Sequence, residues 1–120
     1  MKNTTLVMGA SLKEERYSNM AIKRLRAKKI EVVAFGLKRG IVSDVTIDID
    51  NIDYENIDTV TLYLNPIRQK EYYTYILHLK PRRVIFNPGT ENHEFQKLLM
   101  ANGIIAEVAC TLVLLSINQY

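Results

Sequence analysis

Between Gly9 and Ser18 the chain gathers side chains suited to holding an anion: hydroxyls at Ser11 and Ser18, a phenol at Tyr17, cations at Lys13 and Arg16. Gly9 ends a short apolar run, so the backbone can turn sharply there with no Cβ to hold a ligand away. Backbone N–H groups at a helix start, joined by two cations, make an anion cradle. The dinucleotide fingerprint Gly-x-Gly-x-x-Gly is not met, because Ser11 and Glu14 stand where its second and third glycines belong. A pyrophosphate therefore cannot nestle as closely as it does in that motif. An ordinary strand-to-helix turn with a solvated Lys-Glu-Glu-Arg fits the same residues, and spacing alone does not separate the two.

Two more cations, Lys38 and Arg39, follow Phe35-Gly36-Leu37 at the end of a second apolar run. An NAD site carries an acidic residue there for the ribose hydroxyls. Cations suit a phosphate on the adenosine ribose instead, as in NADP or coenzyme A (CoA); two solvated loop cations are the plainer alternative. Further along, Asn65-Pro66 and Asn87-Pro88-Gly89 each follow an apolar run directly. Groups able to do covalent or proton chemistry are few. His93 and Glu91 fall at a helix start, where solvation and the helix dipole already account for them. His78 falls on an amphipathic helix, and Cys110 follows an apolar strand in the setting of a small buried hydrophobe. No nucleophile–base–orienter set emerges. The histidines, the cysteine and the scattered carboxylates show no metal-ligand spacing.

The totals narrow the classes. A chain of 120 residues, 48% apolar and 24% charged, is expected to form one globular domain over residues 1–120. Its net charge is only +3. Lys23, Arg24, Arg26, Lys28 and Lys29 cluster in the second half of an expected helix, where cations suit the dipole, so no nucleic-acid partner is expected. Met1 to Thr4 lead straight into the first strand without a signal-peptide core. Val108 to Ile117, the longest apolar stretch, has about half the length of a membrane span. With a single cysteine there is no internal disulfide, and a cytoplasmic location with no membrane partner is expected. Oligomeric state is not written in the sequence.

Strands and helices alternate along the chain. Strands are expected at 5–8, 31–35, 45–49 (alternating apolar and polar, as at a sheet edge), 59–64, 83–86 and 104–109. Helices are expected over 19–29 with Ser18 as cap, from Asn65-Pro66 through Leu79, and over about 92–102, ended by Gly103. A closing turn or two covers 110–117, and 36–57 is the least regular stretch. The segments "LYLNPIRQKEYY" and "VIFNPGTENHEF" echo each other as strand, Asn-Pro, helix. The alternation predicts an α/β fold with a mostly parallel sheet of five to six strands and helices on both faces. Ligands of such sheets lie beyond the carboxyl ends of the strands. The three segments following strands, at Gly9, Asn65 and Asn87, are expected to converge there.

Taken together, "GASLKEERYSNMAIKRL", "IDTVTLYLNPIRQKEYY", "PRRVIFNPGTENHEF" and the late "GI…C" resemble the small stand-alone CoA-binding domain family. That family is similar to the N-terminal, CoA-binding domain of the succinyl-CoA synthetase alpha subunit. The resemblance spans nearly the whole chain and implies a Rossmann-type fold with CoA, or an acyl-CoA, lying over the first loop. It implies that Gly9, Ala10, Ser11, Leu12 and Lys13 cradle the CoA phosphates, with Arg16, Tyr17 and Ser18 lining the same loop. Lys38 or Arg39 would meet the adenosine end, and Asn65 and Pro66 would pass beside the nucleotide or pantetheine. Asn87, Pro88 and Gly89 would form the far wall. Residues 38–57 depart from the family's usual second half-unit. The ligase's phosphorylated histidine lies on a second domain with no counterpart in this chain. The expected function is CoA binding without evident catalysis; the alternatives are an NADP-type binding module or redox sensor, and an enzyme acting on an acyl-CoA thioester.

Overall fold

The β-branched and apolar runs of the sequence become strands of one sheet in a computed structural model, which describes residues 3–120. Met1 and Lys2, the expected lead into the first strand, lie outside the described residues. The strands are β1 (Thr4–Ala10), β2 (Glu31–Gly36), β3 (Gly40–Val42), β4 (Val45–Asp48), β5 (Ile57–Leu62), β6 (Arg83–Phe86) and β7 (Ile105–Val108). Their order across the sheet is β3-β4-β2-β1-β5-β6-β7. Every neighbouring pair is parallel except β3 with β4. This is a Rossmann-like α/β sheet. The chain runs outward from β1 to β3, then returns to the other side of β1 and runs outward again. The reversal falls between β1 and β5.

Seven strands stand where five to six were expected, and the difference arises within 36–57. Gly40–Val42 and Val45–Asp48 form a hairpin whose turn places Ser43 at φ 58. Strand β4 is therefore not the edge; β3 is. The alternation in β4 reflects one covered face, with Val45 and Ile47 buried and Thr46 exposed. Arg26 ties the hairpin to the first helix through two bonds to the Asp44 carboxylate, at 2.8 and 2.7 Å.

Helices α1 (Tyr17–Ala27) and α5 (Thr111–Ser116) cover one face through Ile22, Leu25 and Leu115 against Val7, Ala34 and Ile47. Helices α2 (Pro66–Gln69), α3 (Tyr73–Leu79) and α4 (His93–Ala101) lie on the other face. There Ile76, Phe95 and Leu99 pack on Leu6, Met8, Val60 and Phe86. The continuous helix expected from 66 to 79 is broken by a 3-10 turn at Lys70–Tyr72, and both Gln69 and Tyr72 turn inward. Between β4 and β5 the crossover contains no helix. Segment 49–56 makes it, held by the Tyr54 hydroxyl on Asp48 and the Tyr75 hydroxyl on Ile52 O.

The α1/α5 face is polar around β5 and β6. Arg83 is almost wholly buried; its Nε donates to Thr59 Oγ1 and its Nη1 to Glu107 Oε1, both at 3.2 Å. Its guanidinium also lies 4.7 Å from the centre of the Tyr120 ring. A buried charge needs such partners, since one left alone is costly.

Candidate functional site

Glycine makes the floor of the site possible. Gly9 adopts φ +92 at a bulge in β1, and a Cβ there would lie 3.0 Å from the Tyr63 carbonyl carbon. At Gly36 a Cβ would lie only 2.3 Å from Ala10 O. The ends of β1, β2 and β5 therefore meet backbone to backbone, and above them opens a cleft of about 690 Å³. It lies at the carboxyl ends of the strands, across the reversal between β1 and β5. Open α/β sheets take ligands at that position.

One wall is the loop after β1, with Gly9, Ala10, Ser11, Leu12, Lys13, Arg16, Tyr17 and Ser18. Ser18 does not cap α1 as expected. The helix starts two residues earlier, Arg16 is its N-cap, and that cap makes no side-chain hydrogen bond to the first N–H groups. Ser18 instead lies buried inside the first turn. The loop is braced from below, where Asn19 Nδ2 donates to Ser11 O at 2.9 Å. An uncapped helix start presents free N–H donors and the positive end of a dipole. This is the physical basis of anion binding at such termini.

The second wall follows β2, with Phe35, Gly36, Leu37 and Lys38. Arg39 does not line the cleft; its guanidinium turns to Asp50, 3.9 Å away. The far side combines Tyr63, Leu64, Asn65 and Arg68 with Pro88, Gly89 and Thr90. Asn65 caps α2 by accepting from Arg68 N at 3.0 Å, as its place before Pro66 suggests. Pro66 is outside this cleft.

Asn87 is also outside it, although the sequence echo pairs it with Asn65. It is buried, its Nδ2 donates to Thr61 Oγ1 (2.7 Å) and Leu62 O (2.9 Å), and its Oδ1 accepts from Thr111 N at 2.9 Å. Asn65 follows β5 by three residues and is exposed, whereas Asn87 follows β6 at once and turns inward. The motif is shared; the geometry is not.

Charge is the site's main chemical property. The lining holds Lys13, Arg16, Lys38 and Arg68 and no carboxylate. Among the described residues none of these four forms a salt bridge, while Arg26, Arg39, Arg82 and Arg83 all do. Of the acids flanking the lining in sequence, Glu14 turns to Lys23 Nζ, 3.6 Å away, and Glu91 bends back to accept from Gly89 N at 2.8 Å. His93 is exposed and Cys110 half-buried, and neither lines the cleft. The strand before Cys110, expected to be buried, is the sheet edge, with Ile105 and Val108 both more than half exposed.

Among the described residues the buried Tyr63 hydroxyl has no hydrogen-bond partner; the neighbouring Thr61 and Thr111 hydroxyls bond each other at 2.8 Å. Burial pushes the Tyr63 phenol up to about 12, so it stays protonated at neutral pH. Phe35, Gly36, Leu37, Tyr63, Leu64, Arg68 and Thr90 are lining residues not singled out from sequence. Most of them adjoin strand ends, where the strand-end rule could have found them. Arg68 gave no such signal, being one cation on an expected helix face.

Among solved structures, an uncharacterized protein shares 45% identity over all of this chain and 99% of its own, with a TM-score of 0.96. A hypothetical protein from Pyrococcus horikoshii shares 27% identity over 93% of this chain and 80% of its own, with a TM-score of 0.80. A Thermus thermophilus protein at 18% identity covers 99% of this chain and 91% of its own with a TM-score of 0.87, a likeness of fold alone. No curated protein matches the sequence. The sequence pattern of one family, described as the CoA binding domain, matches residues 3–116. With that match across almost its whole length, the chain belongs to the CoA binding domain family.

Proposed function

We propose that the cleft binds coenzyme A or an acyl-CoA and that the protein acts by binding it rather than by transforming it. The observation carrying this reading is four cations without an ion pair among the described residues, no lining carboxylate and a helix start with no side-chain cap, all around one cleft. A ligand with a diphosphate and a ribose phosphate supplies the matching negative charge. The free N–H groups of α1, with Lys13 and Arg16, take the diphosphate. Lys38, beside Phe35 and Leu37, takes the phosphorylated adenosine end. The pantetheine arm runs toward Asn65 and the Pro88–Thr90 turn. Family membership supports the same ligand.

Binding without turnover is favoured by how the polar groups near the arm are used. Both the Thr90 N–H and its hydroxyl donate to Asn87 O, and Glu91 is held by Gly89 N. None of them stands beside a nucleophile.

A thermal-shift panel of CoA, acetyl-CoA, NADP and NAD tests the reading. CoA at 100 times its dissociation constant should stabilise the fold by about 2.7 kcal/mol. A shift with NAD and none with CoA would overturn it. Release of free CoA from acetyl-CoA above the protein-free rate would overturn the binding-only part.

A further inference from the structure

The two loops at the pantetheine end of the cleft come from different crossovers, and one buried side chain joins them. Gln69, the last residue of α2, has no exposed surface. Its Nε2 donates one proton to Leu64 O and the other to Thr90 O, each at 2.8 Å. Leu64 belongs to the loop after β5, Thr90 to the loop after β6, and both line the cleft.

The amide cannot be reversed. Its Oε1 accepts from Asn92 Nδ2 at 3.0 Å, and a flip would set oxygen against two carbonyls and NH2 against NH2. Asn92 is itself fixed: its Oδ1 caps α4 at Phe95 N (3.1 Å), and its Nδ2 also donates to the Tyr73 hydroxyl (2.8 Å). That hydroxyl donates to Glu94 Oε1 at 3.1 Å, and the Tyr73 ring stacks on Phe95.

We infer that Gln69 is a positioning residue that sets the spacing of the two loops at this end of the cleft, and so governs recognition of the ligand's non-nucleotide arm. Lys and Arg can donate twice but offer Asn92 Nδ2 no acceptor. Glu has no proton to donate when ionised, Asn is one methylene shorter, and Met or Leu leaves both carbonyls unsatisfied. Apart from Arg68, the nucleotide end depends on other elements, α1 and the end of β2, so loss of the clamp should be felt chiefly on the arm. The ligand part of this inference rests on the CoA reading; the mechanical part does not.

The test uses Gln69→Met, which fills the space without donors, and Asn92→Asp. The second variant keeps the α4 cap acceptor at a helix start, where a carboxylate is suited, and melting of both unliganded variants verifies that they fold. Asn92→Asp nonetheless removes the donor that orients Gln69. Affinities for CoA and for adenosine 3′,5′-bisphosphate are measured by calorimetry, and amide exchange is followed in the unliganded proteins at Leu64, Asn65, Gly89 and Thr90.

The ratio of CoA to bisphosphate affinity should fall about tenfold in Gln69→Met and less in Asn92→Asp, with bisphosphate affinity unchanged within about twofold. Exchange should rise together at both loops. Equal losses for the two ligands, an unchanged ratio, or loosening of only one loop would overturn the inference. If wild-type protein fails to bind CoA while both loops loosen together, the CoA reading falls and the clamp stands.

Discussion

Arg68 illustrates how a single residue changes meaning once its neighbours are known. In sequence it is a helix cation; in space it sits three residues beyond the Asn65 cap, half-buried and free of any salt bridge, on the wall opposite Lys13 and Arg16. If it meets a phosphate, Arg68→Ala should weaken CoA binding by about 1.5–3 kcal/mol, the worth of a charge-assisted hydrogen bond. The melting temperature without ligand should barely move, because the side chain holds no carboxylate. Calorimetric titration checks both, and equal affinity in the variant would place Arg68 outside the binding contacts. Asn87 is the reverse case. Asn87→Ala should leave CoA affinity nearly unchanged but destabilise the fold by about 1–3 kcal/mol for each buried partner left unsatisfied. Urea unfolding reads the cost; a large loss of CoA affinity with unchanged stability would contradict this structural role.

Elements were legible in proportion to their length and regularity. β1, β2, β5 and β6 announce themselves by apolar, β-branched runs, and α1 and α4 by one apolar stripe each, so the βαβ alternation follows. Strand β4 shows in its alternation, but its partner β3 does not: three residues are too few to set a period, and the hairpin turn uses Ser43 in place of a glycine signal. The break at Lys70–Tyr72 is hidden because helical and 3-10 turns share their apolar spacing over so short a span. At the candidate site, the loop after β1 and Lys38 are visible as residue types after a strand. Arg39 and Asn87 are indistinguishable from ligand contacts until Asp50 and Thr111 come beside them. Tertiary partners, absent from any local window, decide those cases. At the amino ends of β5 and β6, Asp58 accepts from Arg82 Nε and Nη2 at 2.8 and 3.1 Å. The Arg82 hydrogen bond, opposed by burial and helped by Thr59, holds the Asp58 carboxyl below its usual range. A depressed folded value means stability that is full above the unfolded pKa of about 3.9 and is lost as pH falls through the lower folded value. Arg82 is half exposed, so the pair is worth at most about 1 kcal/mol. Asp58→Asn should be less stable than wild type at pH 7, and the gap should close on acidification below about pH 4. Urea midpoints across pH check it, and a gap that widens toward acid would refute the assignment.

Over the whole molecule, charge is unevenly divided. The chain's net charge is +3, yet the cleft lining alone carries four positive side chains and no negative one. The remainder of the chain is therefore slightly negative in net charge, and four of its other cations are engaged at Asp44, Asp50, Asp58 and Glu107. Apart from the exposed cations late in α1, an approaching polyanion finds concentrated positive charge at this one opening. Encounter is thus steered, and the rate of association becomes a property of the solvent as much as of the contacts. At ~0.1 M salt the screening length is about 10 Å, short beside a molecule 35 Å across. Stopped-flow association of CoA should slow by roughly tenfold or more between low and high salt, with dissociation changing far less. Uncharged pantetheine should arrive at a rate indifferent to salt, and equal salt slopes for the two would show that the opening exerts no such pull.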